Sequence, residues 1–390
     1  MTALTVGAKG PQRVAVLGAG IIGLACAWRL ARAGHRVTVL DPSARTGATY
    51  AAAGMIAPAS EAAFGQDALL AAGLASARLW PTFAADLTHD TGRPIELTPC
   101  ATMLVALDAD DDNALTRHVR HLHRRGCTAE RLTSRAARRL EAGLTPRLAG
   151  AVLLHETAVD ARKVASALEV ALVEHGGTVL AVSGEPVVHE GTATGVRSLG
   201  ERWATTSGVI DADVVVVAAG WRSPQMLSAL DHAVPIRPLK GQILRLRSSP
   251  GALGHTVRGT VRGREVYVVP RPDGEVVVGA TSEDVGEDLR VTAGAVHDLL
   301  HDAIELLPEL AEATLVESTA RLRPATSDNL PVVGPTCVDG LVLASGHGRD
   351  GILLAPLTAE LVSAHIDGRP PPSGAETLAA QRLCTPKELT

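Results

Sequence analysis

The stretch RVAVLGAGIIGLACAWRLARAGHRVTVLD, residues 13–41, decides the reading of this chain. Val14-Ala15-Val16-Leu17 is a short apolar run of the kind a buried parallel strand needs. Gly18-Ala19-Gly20-Ile21-Ile22-Gly23 follows at once, and Ile21 to Ala33 is rich in Ala and Leu without proline, with Gly34 placed to close a helix. Arg36 to Leu40 is a second strand, ending in Asp41. G-x-G-x-x-G by itself is a weak signal. Here it follows a strand, opens a helix and has an acidic residue 23 positions after Gly18, the context of a dinucleotide-binding turn. The glycines permit the tight turn and let a pyrophosphate approach backbone N–H groups at a helix N-terminus, where the dipole favours an anion. Asp41 can accept hydrogen bonds from ribose hydroxyls, and its charge disfavours a 2′-phosphate. The βαβ unit does not choose between NAD and FAD.

Outward from that unit the texture alternates. A small-residue stretch, Gly47 to Pro58, precedes an expected helix from Leu69 to Leu87. Between about 90 and 150 come a strand-like ATMLVAL (101–107), an acidic turn Asp108 to Asp112 and a basic helix around RHVRHLHRR (117–125). The α/β texture returns near 151 with the helix ARKVASALEVALVEHG and the strand Val214 to Val217. QILRLR (242–247), EVYVVP (265–270) and EVVVGA (275–280) alternate with period two, as antiparallel strands do. Gly340 to Ile366 reads as strand, glycine loop and helix. Two domains interleaved in sequence fit this order.

Composition narrows the function classes. The chain has 390 residues, 46% of them hydrophobic and 20% charged, enough for a sizeable core and about two domains. Its net charge of −5 argues against a nucleic-acid partner. Five cysteines (Cys26, Cys100, Cys127, Cys337, Cys384) lie far apart and contain no C-x-x-C, which fits a reducing compartment better than disulfides or zinc. The opening MTALTVGAKGPQ has no signal-peptide pattern, and no apolar stretch reads as long enough to span a bilayer. A soluble cytoplasmic protein is expected, with no membrane partner. His118, His121 and His123, interleaved with arginines, read as a solvated basic face.

RVAVLGAGIIGLACAWRLARAGHRVTVLD, GATYAAAGMIAPASE, RPLKGQ, VYVVPRPDGEVVVGAT, LRPATSDNLPVVG and GHGRDGILLAPLTAEL occur in that order. Together they resemble the D-amino-acid oxidase family of FAD-dependent flavoproteins, and within it most closely the bacterial glycine oxidases of thiamine-precursor synthesis. The resemblance runs from about residue 13 to 366. It implies an α/β fold: a Rossmann-type FAD-binding domain (1–88, 151–231 and 321–390) interleaved with an α+β substrate domain (89–150 and 232–320) carrying an antiparallel sheet. With the fingerprint glycines Gly18, Gly20 and Gly23, it implies non-covalent FAD contacts at Ile21, Ile22, Asp41, Thr49, Ala53, Gly54, Met55, Val187 and the loop His347, Gly348, Arg349, Asp350, Gly351, Ile352 and Leu353. Arg323 matches the family's carboxylate-binding arginine, Tyr267 a tyrosine beside that carboxylate, and Arg349 a residue near the reacting centre. The implied activity is oxidation of glycine or another small amino acid or amine to the 2-oxo acid, ammonia and hydrogen peroxide, with molecular oxygen as co-substrate, in a homo-oligomer. A dehydrogenase of the same fold passing electrons to a carrier is the alternative, and a non-catalytic flavin- or nucleotide-binding protein the alternative of another class. Three positions depart from the family pattern: Gly348 replaces an aromatic, Arg321 a glycine, and Glu265 a histidine.

Overall fold

A computed structural model describes residues 10–99, 101–199, 208–227 and 234–380. Cys100 and Cys384 lie outside the described residues; Cys26 is buried, Cys127 partly so and Cys337 exposed. A six-stranded sheet runs in the order Val332–Pro335, Leu341–Ser345, Val214–Val217, Arg13–Leu17, Arg36–Leu40, Thr178–Leu180. All neighbours are parallel except the first pair. Val14 and Val16 pack into a helical layer, whereas Ala15, Leu17, Val215 and Val217 pack with Val196 of a three-stranded antiparallel sheet. Covered on both faces, these strands have no reason to alternate polar with apolar, which explains the unbroken Val214 to Val217 run.

The helical layer is built on Ile21–Arg32, Asp67–Thr91, Ala161–Glu174 and Gly351–Ile366. By length and composition Asp67–Thr91 could cross a membrane, contrary to the sequence expectation. In the fold its apolar side is core instead: Leu70, Ala72, Ala75, Trp80, Phe83 and Leu87 are buried. Trp28 meets Phe83 edge-on at 5.0 Å.

An eight-stranded sheet forms the second body, in the order Thr314–Ala325, Arg237–Arg247, Glu275–Gly279, Arg264–Pro270, Thr256–Val261, Thr102–Ala106, Gly150–Leu154, Glu130–Leu132. It is antiparallel except where Thr256–Val261 pairs with Thr102–Ala106. The domain divisions read at 150/151 and 320/321 fall within Gly150–Leu154 and Thr314–Ala325, both of which lie wholly in this sheet. Two local readings also change. The acidic stretch is the start of helix Ala109–Arg124: the Asp108 side chain accepts from the Asp110 and Asp111 N–H groups, and acidic residues suit a first turn. On the same helix His121 is buried, 4.9 Å from Phe64, rather than solvated, because the helix turns that side inward. Among the described residues no cluster of His, Cys, Asp or Glu is arranged for a metal.

The strand–turn–helix junction leaves no room for side chains at two of its glycines. A Cβ on Gly23 would lie 1.9 Å from the Gly18 carbonyl oxygen, and one on Gly18, at φ +109°, would lie 2.5 Å from that of Ala218. A Cβ on Gly20 would meet only the Thr49 hydroxyl, at 3.6 Å. Gly23→Ala is therefore expected to destabilise the ligand-free protein by about 1–3 kcal/mol or more, lowering its denaturant midpoint, while Gly20→Ala leaves that midpoint nearly unchanged.

Candidate functional site

Four chain segments leave the carboxyl edge of the parallel sheet side by side: Leu17 into Gly18, Leu40 into Asp41, Val217 into Ala218–Gly220, and Ser345 into His347. Open parallel sheets bind ligands at this edge. A cleft of about 1480 Å³ runs along it and continues under the eight-stranded sheet. The turn is rigid. Asp41 accepts the Ala19 N–H at 2.7 Å and the Ser43 N–H at 2.8 Å, and the Ile21 N–H donates to the Thr49 hydroxyl at 3.0 Å. Two helices, Ile21–Arg32 and Gly351–Ile366, present their N-termini to the cleft, and neither has a side-chain cap or an acidic first turn. Apart from the Ile21 N–H, which Thr49 takes, their leading amides and dipoles are thus open to anionic or polar groups of a ligand.

Of the residues expected to hold a cofactor, Gly18, Gly20, Ile21, Ile22, Asp41, Thr49, Ala53, Gly54, Met55 and His347 to Leu353 line this cleft. Gly54, at φ +79°, is packed so that a Cβ would lie 1.8 Å from the Val159 carbonyl oxygen. Two expected residues do not line the cleft. Gly23 acts through the close helix approach described above. Val187 pairs with Gly195 inside the three-stranded sheet, and Ser183 and Gly184 are what that segment brings to the cleft. His347 is buried with Nε2 2.9 Å from the Thr358 hydroxyl, and burial pushes its pKa down to about 3, so it stays neutral at working pH.

The far end of the cleft gathers charge under the sheet. Arg323 lies flat on Gly241, where an added Cβ would come within 2.4–2.5 Å of the guanidinium. Its Nη1 donates to the Thr281 carbonyl at 3.0 Å. The Tyr267 hydroxyl occupies the space a Gly279 side chain would need, 2.3 Å from the ideal Cβ, and burial raises its pKa, keeping it protonated. Arg349 pairs with Glu61 at 3.2 Å and with Glu265 at 3.8 Å, so the glutamate in the histidine's place serves an ion pair at the rim. Arg321 donates to the Thr46 carbonyl and stands 5.3 Å from the Tyr50 ring, which Arg162 also covers at 3.6 Å. It ties its strand to the Gly47 loop. Gly348 has φ +54°, and a Cβ there would meet nothing within 4 Å, so the absent aromatic leaves open space.

Sequence reasoning missed Arg258 and Glu61, a hydrogen-bonded ion pair 197 residues apart in the chain. Burial opposes the charge on Glu61, yet Arg258 and Arg349 hold its pKa below the usual range. Glu61 stands within the quoted GATYAAAGMIAPASE motif, but nothing around Arg258 announces a role. The buried Glu156 accepts the Ala59 and Ser60 N–H groups at 2.8 and 2.9 Å and so sets the turn that carries Glu61.

A dinucleotide of the FAD type fits these residues: a carboxylate at the end of the second strand, a glycine cradle that a side chain at Gly20 would fill, and two helix N-termini with no capping aspartate or serine along one cleft. The family model described as FAD dependent oxidoreductase (DAO) matches residues 13–365. A protein of Geobacillus kaustophilus named glycine oxidase is 32% identical over 354 residues, covering 90% of this chain and 91% of that one. The bifunctional protein ThiO/ThiG of Trichormus variabilis is 31% identical over 90% of this chain, which spans only 52% of that relative's length. The crystal structure of glycine oxidase from Geobacillus kaustophilus superposes with a TM-score of 0.86 at 30% identity, covering 96% of this chain and 99% of that one.

Gly20→Val should fold normally yet purify colourless, because the added side chain fills only the cradle; full flavin absorbance in that variant would disprove the cradle's role. Asp41→Ala should weaken flavin binding more mildly, by about 1.5–3 kcal/mol for each charge-assisted bond lost, as flavin fluorescence titration would measure.

Proposed function

This chain belongs to the DAO family of FAD dependent oxidoreductases, and on that premise we propose that it oxidises the amine of glycine or another small amino acid. The imine formed is hydrolysed to the 2-oxo acid and ammonia, and oxygen is reduced to hydrogen peroxide. FAD, bound non-covalently along the cleft, supplies the two-electron acceptor that oxygen then regenerates. The cleft residues named above from Gly18 to Met55 and from His347 to Leu353 are the proposed cofactor set. The exposed Cys337 is not among the cleft residues, consistent with the absence of a covalent tether.

The observation that carries this reading is the state of Arg323. Its guanidinium is held flat by Gly241 and spends one donor on Thr281, so the remaining edge can receive a carboxylate in the bidentate geometry an arginine provides. The protonated Tyr267 hydroxyl is the second donor to that carboxylate. With the carboxylate fixed at two points, the α-carbon and amine have little freedom left, and orientation supplies much of the catalysis. Amides at the start of helix Gly351–Ile366 favour negative charge placed beside them. The space beside Gly348 leaves room for more than glycine. Assembly as a homo-oligomer and supply of a glycine imine to thiazole formation belong to the same proposal. A dehydrogenase passing electrons to a carrier shares every residue of this half-reaction. Parallel assay of peroxide and of dye reduction with glycine, sarcosine and D-amino acids separates the two.

Truncating one partner of a buried charge pair costs about 2–5 kcal/mol, roughly 30- to 5,000-fold. Arg323→Ala should therefore raise KM for glycine at least tens-fold at unchanged FAD content, and Arg323→Lys should recover only part. An amine without a carboxylate should lose far less; equal losses would make Arg323 a folding residue. Tyr267→Phe should raise KM several-fold with modest loss of kcat, and an unchanged KM would return Tyr267 to the core.

A further inference from the structure

An aspartate just before a helix ordinarily accepts the N–H groups of the first turn. Asp350 precedes Gly351–Ile366 and does not: its side chain makes no cap bond. The residue is 7% exposed, lines the cleft, and among the described residues its carboxyl takes no hydrogen bond. Three charged groups surround it: Glu61 from the turn that follows Met55–Ile56, Arg258 from Thr256–Val261, and Arg349 beside it in the loop. The same Glu61 and Arg258 act electrostatically on Tyr267, and Arg323 acts on Glu61 and Tyr267, so Asp350 belongs to the substrate end of the cleft.

An amino acid arrives as an ammonium, and its amine must be neutral before the α-carbon can be oxidised. We propose that Asp350 accepts that proton, an inference resting on the amino-acid-oxidising reading above. One substrate N–H bond breaks, an O–H bond forms at a carboxylate oxygen of Asp350, the nitrogen keeps the electron pair, and the proton later leaves to water through the cleft.

The neighbouring groups are unsuited to the task. Glu61 is held ionised by two arginines, the Tyr267 hydroxyl stays protonated, His347 faces Thr358, and Glu265 is at the exposed rim against Arg349. Burial first, and then the Glu61 charge, push the Asp350 pKa up to about 7, against the opposing pull of Arg349 and Arg258. A base is most effective with its pKa near the operating pH. The accepting form is the carboxylate, so activity rises with pH through about 7 and levels off above it.

The test is the anaerobic rate of flavin bleaching by glycine between pH 6 and 10, with FAD content read from absorbance. Asp350→Asn should slow bleaching about 10²-fold at pH 7, the scale of general-base catalysis. Its rising limb should move more than one unit alkaline, toward the substrate amine's own ionisation, so that the deficit shrinks at high pH. Asp350→Glu should restore a limb near neutrality. Glu61→Gln, which removes the negative neighbour, should shift the limb to lower pH and serves if the asparagine variant does not fold. A wild-type pH dependence in Asp350→Asn, or an unmoved limb in Glu61→Gln, overturns the proposal. If no amino acid bleaches the wild-type flavin at any pH, the substrate reading itself fails, and the proposal with it.

Discussion

How closely the first helix can approach the turn that launches it sets the geometry of the whole cleft. Gly18 and Gly23 allow the Ile21–Arg32 backbone to sit directly against the end of the first strand, with no room for a Cβ between them. That approach aims the leading amides of the helix along the carboxyl edge of the sheet and places Asp41, which anchors the Ala19 and Ser43 N–H groups, at the end of the next strand. Helix Gly351–Ile366 repeats the arrangement from the last strands and packs against the same core. A ligand carrying a pyrophosphate at one end and a polar ring at the other matches what these two termini offer.

The eight-stranded sheet adds what the parallel sheet lacks, a charged chamber with a largely buried ion pair, Arg258 and Glu61, within it. Arg323, Arg258 and Arg349 face one ionised buried carboxylate, Glu61, together with the rim residue Glu265 and the carboxyl of Asp350. Three arginines against so few ionised carboxylates, with Arg258 largely buried and Arg349 half-exposed, favour an anionic substrate. Strand glycines at 241 and 279 serve the same end: each gives up its side-chain volume so that a functional group, the guanidinium of Arg323 or the hydroxyl of Tyr267, can lie on the sheet surface.

Departures from the family pattern acquire physical meaning in this frame. Glu265 becomes the rim partner of Arg349. Arg321 becomes a tie between its strand and the Gly47 loop through Thr46 and the Tyr50 ring. Gly348 leaves open the volume an aromatic would have taken. These three positions all line the cleft, so they adjust its shape and charge while leaving the sheet order untouched.

Sequence alone determined whatever rests on near neighbours along the chain. The strand–glycine turn–helix unit, Asp41 at its proper distance, the period-two strands and the glycine loop before the last helix were all legible, because backbone conformation and ligand approach there depend on consecutive residues. Arg323 and Tyr267 were legible only through the motifs that surround them. Tertiary structure decided the rest. Arg258 reaches Glu61 from 197 positions away, and a lone arginine in a strand carries no local mark of its partner. His121 looked solvated because its sequence neighbours are basic, yet packing turns it inward. Val187 falls within the three-stranded sheet rather than on the cleft because strand register, set by its pairing with Gly195, fixes where it lies. The ionisation of Asp350 depends on burial and on the charges of Glu61, Arg349 and Arg258, and only folding brings Glu61 and Arg258, from two distant segments, against it.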